Sequence, residues 1–191
     1  MNDRDLIQLV DAAMAEAVRK SGSWLACRPG CYKCCLGPFS ITMLDALRLR
    51  EGLAALEQSD PERAARVRTR AARSVERIRR EFPHETVAAV LAIEGAAEDE
   101  LCPALDPQSG TCDLYAARPV TCRTFGPAVR LGPQALAVCE LCYLGATDHE
   151  IAACEVEVDP ENLETALLQE MGSPEETIMA FALAEDDSPT P

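Results

Sequence analysis

Cysteine is the residue type whose number and spacing could do chemistry in this chain. Ten are present among 191 residues. Four sit in Cys27-x3-Cys31-x2-Cys34-Cys35, three follow as Cys102-x9-Cys112-x9-Cys122, two form Cys139-x2-Cys142, and Cys154 comes last. In an oxidising compartment such a set becomes disulfides; in a reducing one, clustered thiols usually hold a metal. Thiolate is a soft ligand that takes zinc, copper(I) or iron–sulfur clusters in preference to magnesium or calcium. Four thiolates close one tetrahedral zinc site or hold one cluster, so ten could supply two sites with two left over. Histidine is limited to His84 and His149, both read as surface residues, so any site is mainly or wholly sulfur-ligated. Nine cysteines are therefore candidate ligands: Cys27, Cys31, Cys34, Cys35, Cys102, Cys112, Cys122, Cys139 and Cys142. Cys154, on an expected helix, reads as a small buried hydrophobe.

The spacings narrow the chemistry. Side chains of the neighbours Cys34 and Cys35 should diverge, so one faces a first site while the other turns to a second site, a bridging position or the core. The doublet thus hints at a binuclear arrangement or two closely spaced sites, with a strained vicinal disulfide as a third option. Cys139-x2-Cys142 is both a metal-knuckle and a dithiol redox spacing, but the strands of a thioredoxin-like fold are not evident around it. Cys27-x3-Cys31-x2-Cys34 resembles the three-cysteine motif of radical S-adenosylmethionine enzymes. That family carries an aromatic before the third cysteine, where this chain has Lys33, and no repeated β/α pattern supports its barrel.

Helices must position these loops. Leu6, Leu9, Val10, Ala13 and Ala17 share one face of an expected helix over 3–20, ended by Gly22. Residues 26–38, with Pro29, Gly30, Gly37 and Pro38 among four cysteines, read as an irregular metal loop. Thr42 caps a helix with Leu44, Leu47, Leu49, Leu53 and Leu56 on its apolar side. Asp60-Pro61 opens another, striped by Val67, Ala71, Val75, Ile78 and Phe82 and broken at Pro83. A helix is expected over 84–97, irregular chain over 101–111 and a short helix over 114–124 interrupted near Pro119. Residues 128–131 and 135–138 form a hairpin around Gly132-Pro133. Asp159-Pro160 and the capping box Ser173-to-Glu176 open the last helices. The expectation is a mainly α fold: one small helical domain over 1–184 with irregular Cys-rich metal loops and one short β-hairpin. Its metal-binding core is placed at about 24–143, its C-terminal helices at 147–184, and a disordered acidic tail at 185–191.

Composition sets outer bounds. Aromatics make up 4%, so the core is built of Leu, Ala and Val and gains from a staple such as a metal. The start of the chain shows no signal peptide and no run spans a bilayer, so a cytoplasmic protein without a membrane partner is expected. A net charge of −14 argues against general nucleic-acid binding. Arg63, Arg66, Arg68, Arg70, Arg73, Arg77, Arg79 and Arg80 run against that trend. They read as a solvated face paired with local acids or as a docking face for an acidic protein partner.

Taken with the second group of cysteines, the chain resembles the YkgJ-type cysteine-cluster family, a zinc- or iron-chelating domain with a Cys-x2-Cys-x2-Cys-Cys signature. The resemblance rests on Cys31-x2-Cys34-Cys35, Cys102-Pro103-Ala104-Leu105, Gly110-Thr111-Cys112-Asp113-Leu114-Tyr115 and Arg118-Pro119-Val120-Thr121-Cys122-Arg123-Thr124-Phe125. It spans about residues 24–126, with the hairpin beyond included, and departs from the signature once, three residues separating Cys27 from Cys31 instead of two. It implies a small bacterial protein that chelates metal. A similar region occurs in the longer flagellin lysine N-methylases. Arg118 and Arg123 would flank and compensate thiolate charge, and Pro103 and Pro119 would pre-order ligands. Tyr115 and Phe125 would shield the site or pack in the core. The leading functional expectation is a metal-binding protein without turnover, holding zinc or an iron–sulfur cluster. The alternatives are an iron–sulfur oxidoreductase or methyl-transfer relative, and an interaction module docking through the arginine helix. No phosphate loop or Ser/His/Asp set supports an enzyme.

Overall fold

The computed structural model describes residues 1–184 other than 94, 132, 133, 136, 137 and 174, with 134 and 135 as backbone only. The expected tail and the Gly132-Pro133 turn lie outside the described residues. In chain order the elements are α1 (Asp3–Ser21), β1 (Ser40–Thr42), α2 (Met43–Ser59), α3 (Pro61–Glu81), α4 (Val87–Ala92), β2 (Leu105–Asp106), β3 (Thr111–Cys112), α5 (Val120–Thr124), β4 (Val129–Leu131), β5 (Gln134–Ala135), α6 (Asp148–Cys154), β6 (Val156–Glu157), α7 (Leu163–Met171), β7 (Glu176–Ile178) and α8 (Met179–Leu183). The fold is mainly α with small sheets, and β4–β5 is the expected short hairpin. Among the described residues, no helix is long and apolar enough to cross a membrane.

The chain forms two compact units, one from Met1–Arg28 with Val120–Ser173, the other from Pro29–Pro119 with Pro174–Pro191. In the first, α1 packs on α5, α6, α7 and β6. Asn2 caps α1, accepting from the amides of Arg4 and Asp5 while its own amide reaches the Asp5 carboxylate. Leu6, Val10 and Ala17 point inward as the stripe requires, whereas Leu9 is 42% exposed. Strand β4 pairs antiparallel with β5 and parallel with β6.

In the second unit α2, α3 and α8 pack on one another. Thr42 and Asp60 cap α2 and α3 through their side chains, as read from the sequence. The core gathers Leu49, Leu53, Val67 and Ala71 with Ala104, Leu105, Leu114 and Leu183. Three readings are corrected. The helix expected over 84–97 is only Val87–Ala92, because Gly95 and Ala97 adopt positive φ and turn the chain. Ser173 opens no helix; Glu176–Ile178 instead pairs as a strand with Ser40–Thr42, and partner hydrogen bonds override a local cap signal. In the first unit α7 starts at Leu163, not at Pro160. Asp159 still caps it, accepting from the amides of Leu163 and Glu164 at 2.9 Å each.

Candidate metal centre

Cys31, Cys34, Cys35, Cys102 and Cys112 belong to the second unit; Cys27, Cys122, Cys139, Cys142 and Cys154 belong to the first. None of the ten is joined in a disulfide.

Backbone pairing gathers the second-unit cysteines from distant stretches. Cys34 and Cys35 close a 3₁₀ turn, Lys33–Cys35. The amide of Cys102 donates to the carbonyl of Cys35 at 2.8 Å, and Leu36 bridges to Leu101. The β2–β3 hairpin sets Leu105 opposite Cys112. At its turn Gly110 has φ +67°, and a Cβ there would stand 3.2 Å from the Cα of Gly30. The missing side chain of Gly110 thus lets the hairpin turn touch the loop that carries Cys31.

The Cys34–Cys35 expectation is corrected. Their thiols hydrogen-bond to each other. In a 3₁₀ turn successive side chains lie about 120° apart, not opposed as in a strand, so adjacent long C–S arms can meet. That bond, aided by backbone and by the Arg118 guanidinium, outweighs burial and holds the Cys34 thiol down at about 6. The same bond, burial and the sulfurs of Cys34, Cys102 and Cys112 push Cys35 far up. Burial pushes Cys102 up to about 12 against amide hydrogen bonds from Ala104 and Leu105. Burial likewise raises Cys112, opposed by a bond from the Leu114 amide and by Arg118. The group therefore shares one thiolate, held mainly at Cys34, among thiols whose ionisation is suppressed. Amides aimed at Cys102 and Cys112 are the dipoles that a thiolate ligand needs once its proton is gone.

Charge fixes the hairpin. Asp113, its side chain 3% exposed, takes Arg63 and Arg70 at 2.5 Å each. Arg70 also donates to the carbonyl of Pro103 at 2.7 Å. One turn pair further along α3, Arg77 holds Asp99 and Glu100 at 2.7 Å. Residues 63, 70 and 77 are spaced by seven, so one stripe of α3 grips both segments that carry Cys102 and Cys112. Sequence reading found the arginines but not this role. Asp113, beside a cysteine, was the available signal.

The remaining expectations divide. Arg118 lies 3.6 Å over the Tyr115 ring and does bear on Cys34 and Cys112. Tyr115 is 64% exposed and Phe125 43%, so neither is packed in a core. Arg123, expected to compensate sulfur, is buried and pairs with Asp11 of α1 at 2.6 Å.

In the first unit Cys139, Cys142 and Cys154 lie in an apolar cluster with Ala128 and Tyr143, flanked by Trp24, Leu25 and Ala26. Tyr143, which sequence reading passed over, ties that cluster together. Its amide donates to the carbonyl of Trp24, its hydroxyl accepts from the amide of Ala128 at 2.9 Å, and it lies 2.5 Å from the hydroxyl of Ser21.

Among the described residues, no group of three or more Cys, His, Asp or Glu side chains stands ready as a metal cage. The donor chemistry nevertheless fits zinc or iron: the four interacting thiols of the second unit come with amide hydrogen bonds to two sulfurs and a guanidinium beside two. No curated protein matches the chain, and no solved structure does. A family model, CxxCxxCC, described as a putative zinc- or iron-chelating domain, matches residues 26–155. The match extends past the hairpin that follows residue 126 and takes in Cys139, Cys142 and Cys154. The chain belongs to the CxxCxxCC family.

Proposed function

We propose that this protein binds zinc or an iron–sulfur cluster through Cys34, Cys35, Cys102 and Cys112, with Cys31 nearby, and acts as a cytoplasmic metal-binding protein without turnover of its own. The observation that carries the reading is the mutual influence of four thiols drawn from three separate stretches of chain. Buried thiols that raise one another's pKa are unfavourable company for anions, and a bound cation reverses that sign. Zinc would supply a cross-link between loops; an iron–sulfur cluster would supply electron transfer. The chain's own residues would do the rest. The Ala104, Leu105 and Leu114 amides would hold the sulfurs' negative charge, Arg118 would offset it, and α3 would fix the hairpin.

A protein partner on the Arg63–Arg80 helix has less support. Arg63, Arg68, Arg70 and Arg77 pair with carboxylates of the same unit, and Arg79 lies over Phe181. Arg66, Arg73 and Arg80, all exposed, remain as the surface such a partner could meet.

Anaerobic isolation followed by elemental analysis and visible spectroscopy tests the proposal. Stoichiometric zinc, or iron with sulfide charge-transfer absorption, is the expected result. Cys34→Ser and Cys112→Ser should each lower the metal content. Protein isolated without metal, and unable to take up zinc or iron when reconstituted, would end the reading.

A further inference from the structure

We infer that the unit formed by Met1–Arg28 and Val120–Ser173 carries a second soft-metal site of its own, with Cys27, Cys122, Cys139 and Cys142 as ligands. This goes beyond the site proposed above, and its test separates the two.

Gly126 is the hub. Its φ is +120°, and a Cβ built there would stand 3.0 Å from the sulfur of Cys27, so only glycine leaves room for that thiol. Its carbonyl accepts from the amide of Cys139 at 3.2 Å. The amide of Cys142 in turn donates to the carbonyl of Cys139 at 2.8 Å. That closes the Cys-x2-Cys segment into a tight turn, the form in which a metal knuckle presents both sulfurs to one side. A third tie brings in the N-terminal stretch, for the Tyr143 amide donates to the Trp24 carbonyl at 2.9 Å. Cys122 lies on α5, four residues before Gly126, and is half-buried. Segments 24–27, 122–126 and 139–143, distant in sequence, thus converge on one backbone junction.

Cys154 shares the apolar cluster but is not part of the ligand set. Its sulfur donates to the carbonyl of Lys20 at 3.5 Å, at the far end of α1's last turn, and its helix sets it in the core. Four sulfurs without histidine select zinc, iron or another soft cation; Cys139 and Cys142 are buried beside Ala128 and Tyr143, while Cys27 is exposed and gives an ion its way in.

The test is cobalt(II) titration of the full-length, metal-free, reduced protein, followed by the sulfur-to-cobalt charge-transfer band and checked by zinc analysis. The expected capacity is about two equivalents, one for each set of four thiolates. Cys139→Ser with Cys142→Ser should remove one, and Cys34→Ser with Cys112→Ser the other. Cys154→Ser, a matched change in the same cluster, should keep both. Retention of the second unit's equivalent in the Cys139/Cys142 variant shows that the protein still folds. A capacity unchanged by the Cys139/Cys142 substitutions overturns the second site and leaves the proposed function standing. A single equivalent abolished by either pair overturns it in favour of one shared site. No uptake at all overturns both readings.

Discussion

The two units hold the same donor atom by opposite means. Around Cys102 and Cys112 the scaffold is ionic: a buried carboxylate, Asp113, takes two arginines of α3, and a third arginine a turn pair away takes two more acids. Around Cys139 and Cys142 it is apolar and neutral: an aliphatic and aromatic cluster, one tyrosine hydroxyl, and backbone bonds through Gly126. Ionic clamps impose direction and register, because a guanidinium fork accepts a carboxylate in few orientations. Apolar packing imposes shape and excludes water but sets no register, so the backbone bonds must. Removing a buried charge should therefore damage the first site most, and removing a hydroxyl or adding a methyl the second.

The largest effect should come from Asp113→Ala. It leaves Arg63 and Arg70, whose side chains are 37% and 21% exposed, without their shared carboxylate, so the loss should fall short of the roughly 3–5 kcal/mol of a fully buried pair. Chemical denaturation should show that loss, with metal lost from the Cys34/Cys112 set while Cys139 and Cys142 keep theirs. Equal damage to both sets would undo the contrast. Next comes Tyr143→Phe, which leaves the buried Ala128 amide and Ser21 hydroxyl without their shared partner, at about 1–3 kcal/mol. Amide exchange should speed up around Ala128 and Cys142 and stay slow in the β2–β3 hairpin.

The pH dependence is smaller and specific to the ionic side. In metal-free protein the Cys34 thiol is held at about 6, below its ordinary 9.0, by the Cys35 hydrogen bond first and Arg118 last. A depressed acid stabilises the fold fully above the ordinary thiol value, and that contribution is lost as pH falls through about 6. Cys102, pushed up to about 12 by burial, has the opposite sign and costs stability as pH rises beyond 9.0. Metal-free protein should thus be most stable near the ordinary thiol value of 9.0, and iodoacetamide should label Cys34 first with a midpoint near 6. Labelling that starts at Cys102 would contradict the shared-thiolate picture. Smallest is Arg77→Ala. Its partners Asp99, Glu81 and Glu100 are 79%, 36% and 17% exposed, and solvent screens the cluster, so only a slight downward shift in the denaturation midpoint should follow.

Much of the helical frame was legible. Thr42 and Asp60 announced α2 and α3, and the stripe Val67, Ala71, Val75 and Ile78 is the buried face of α3. These signals are local, set by caps and a period of 3.6. The cysteine inventory and the family were legible too, since both are matters of order along the chain. What failed needed a partner distant in sequence. Glu176–Ile178 is a strand because Ser40–Thr42 offers it an edge. Arg63 and Arg70 turn inward because Asp113 arrives from 43 and 50 residues away. The meeting of the Cys34 and Cys35 thiols depended on a 3₁₀ turn that no propensity marks. Tyr143 went unseen because a positive φ of 56° and a hydroxyl at a junction leave no trace in composition.

The β1–β7 pair has a consequence for biosynthesis. The strand that directly precedes α2 finds its partner only at Glu176–Ile178, and α8 follows at once to cover α2 and α3. A ribosome must therefore release the chain past Leu183 before that hydrophobic interior can seal. Until then Ile41 and Leu49 await their cover, and the thiols at positions 34, 35, 102 and 112 face the cell's oxidants and ions on an unfinished scaffold. A nascent chain halted at Ser173 would have all ten cysteines and lack the segment that closes the core beside Cys102 and Cys112.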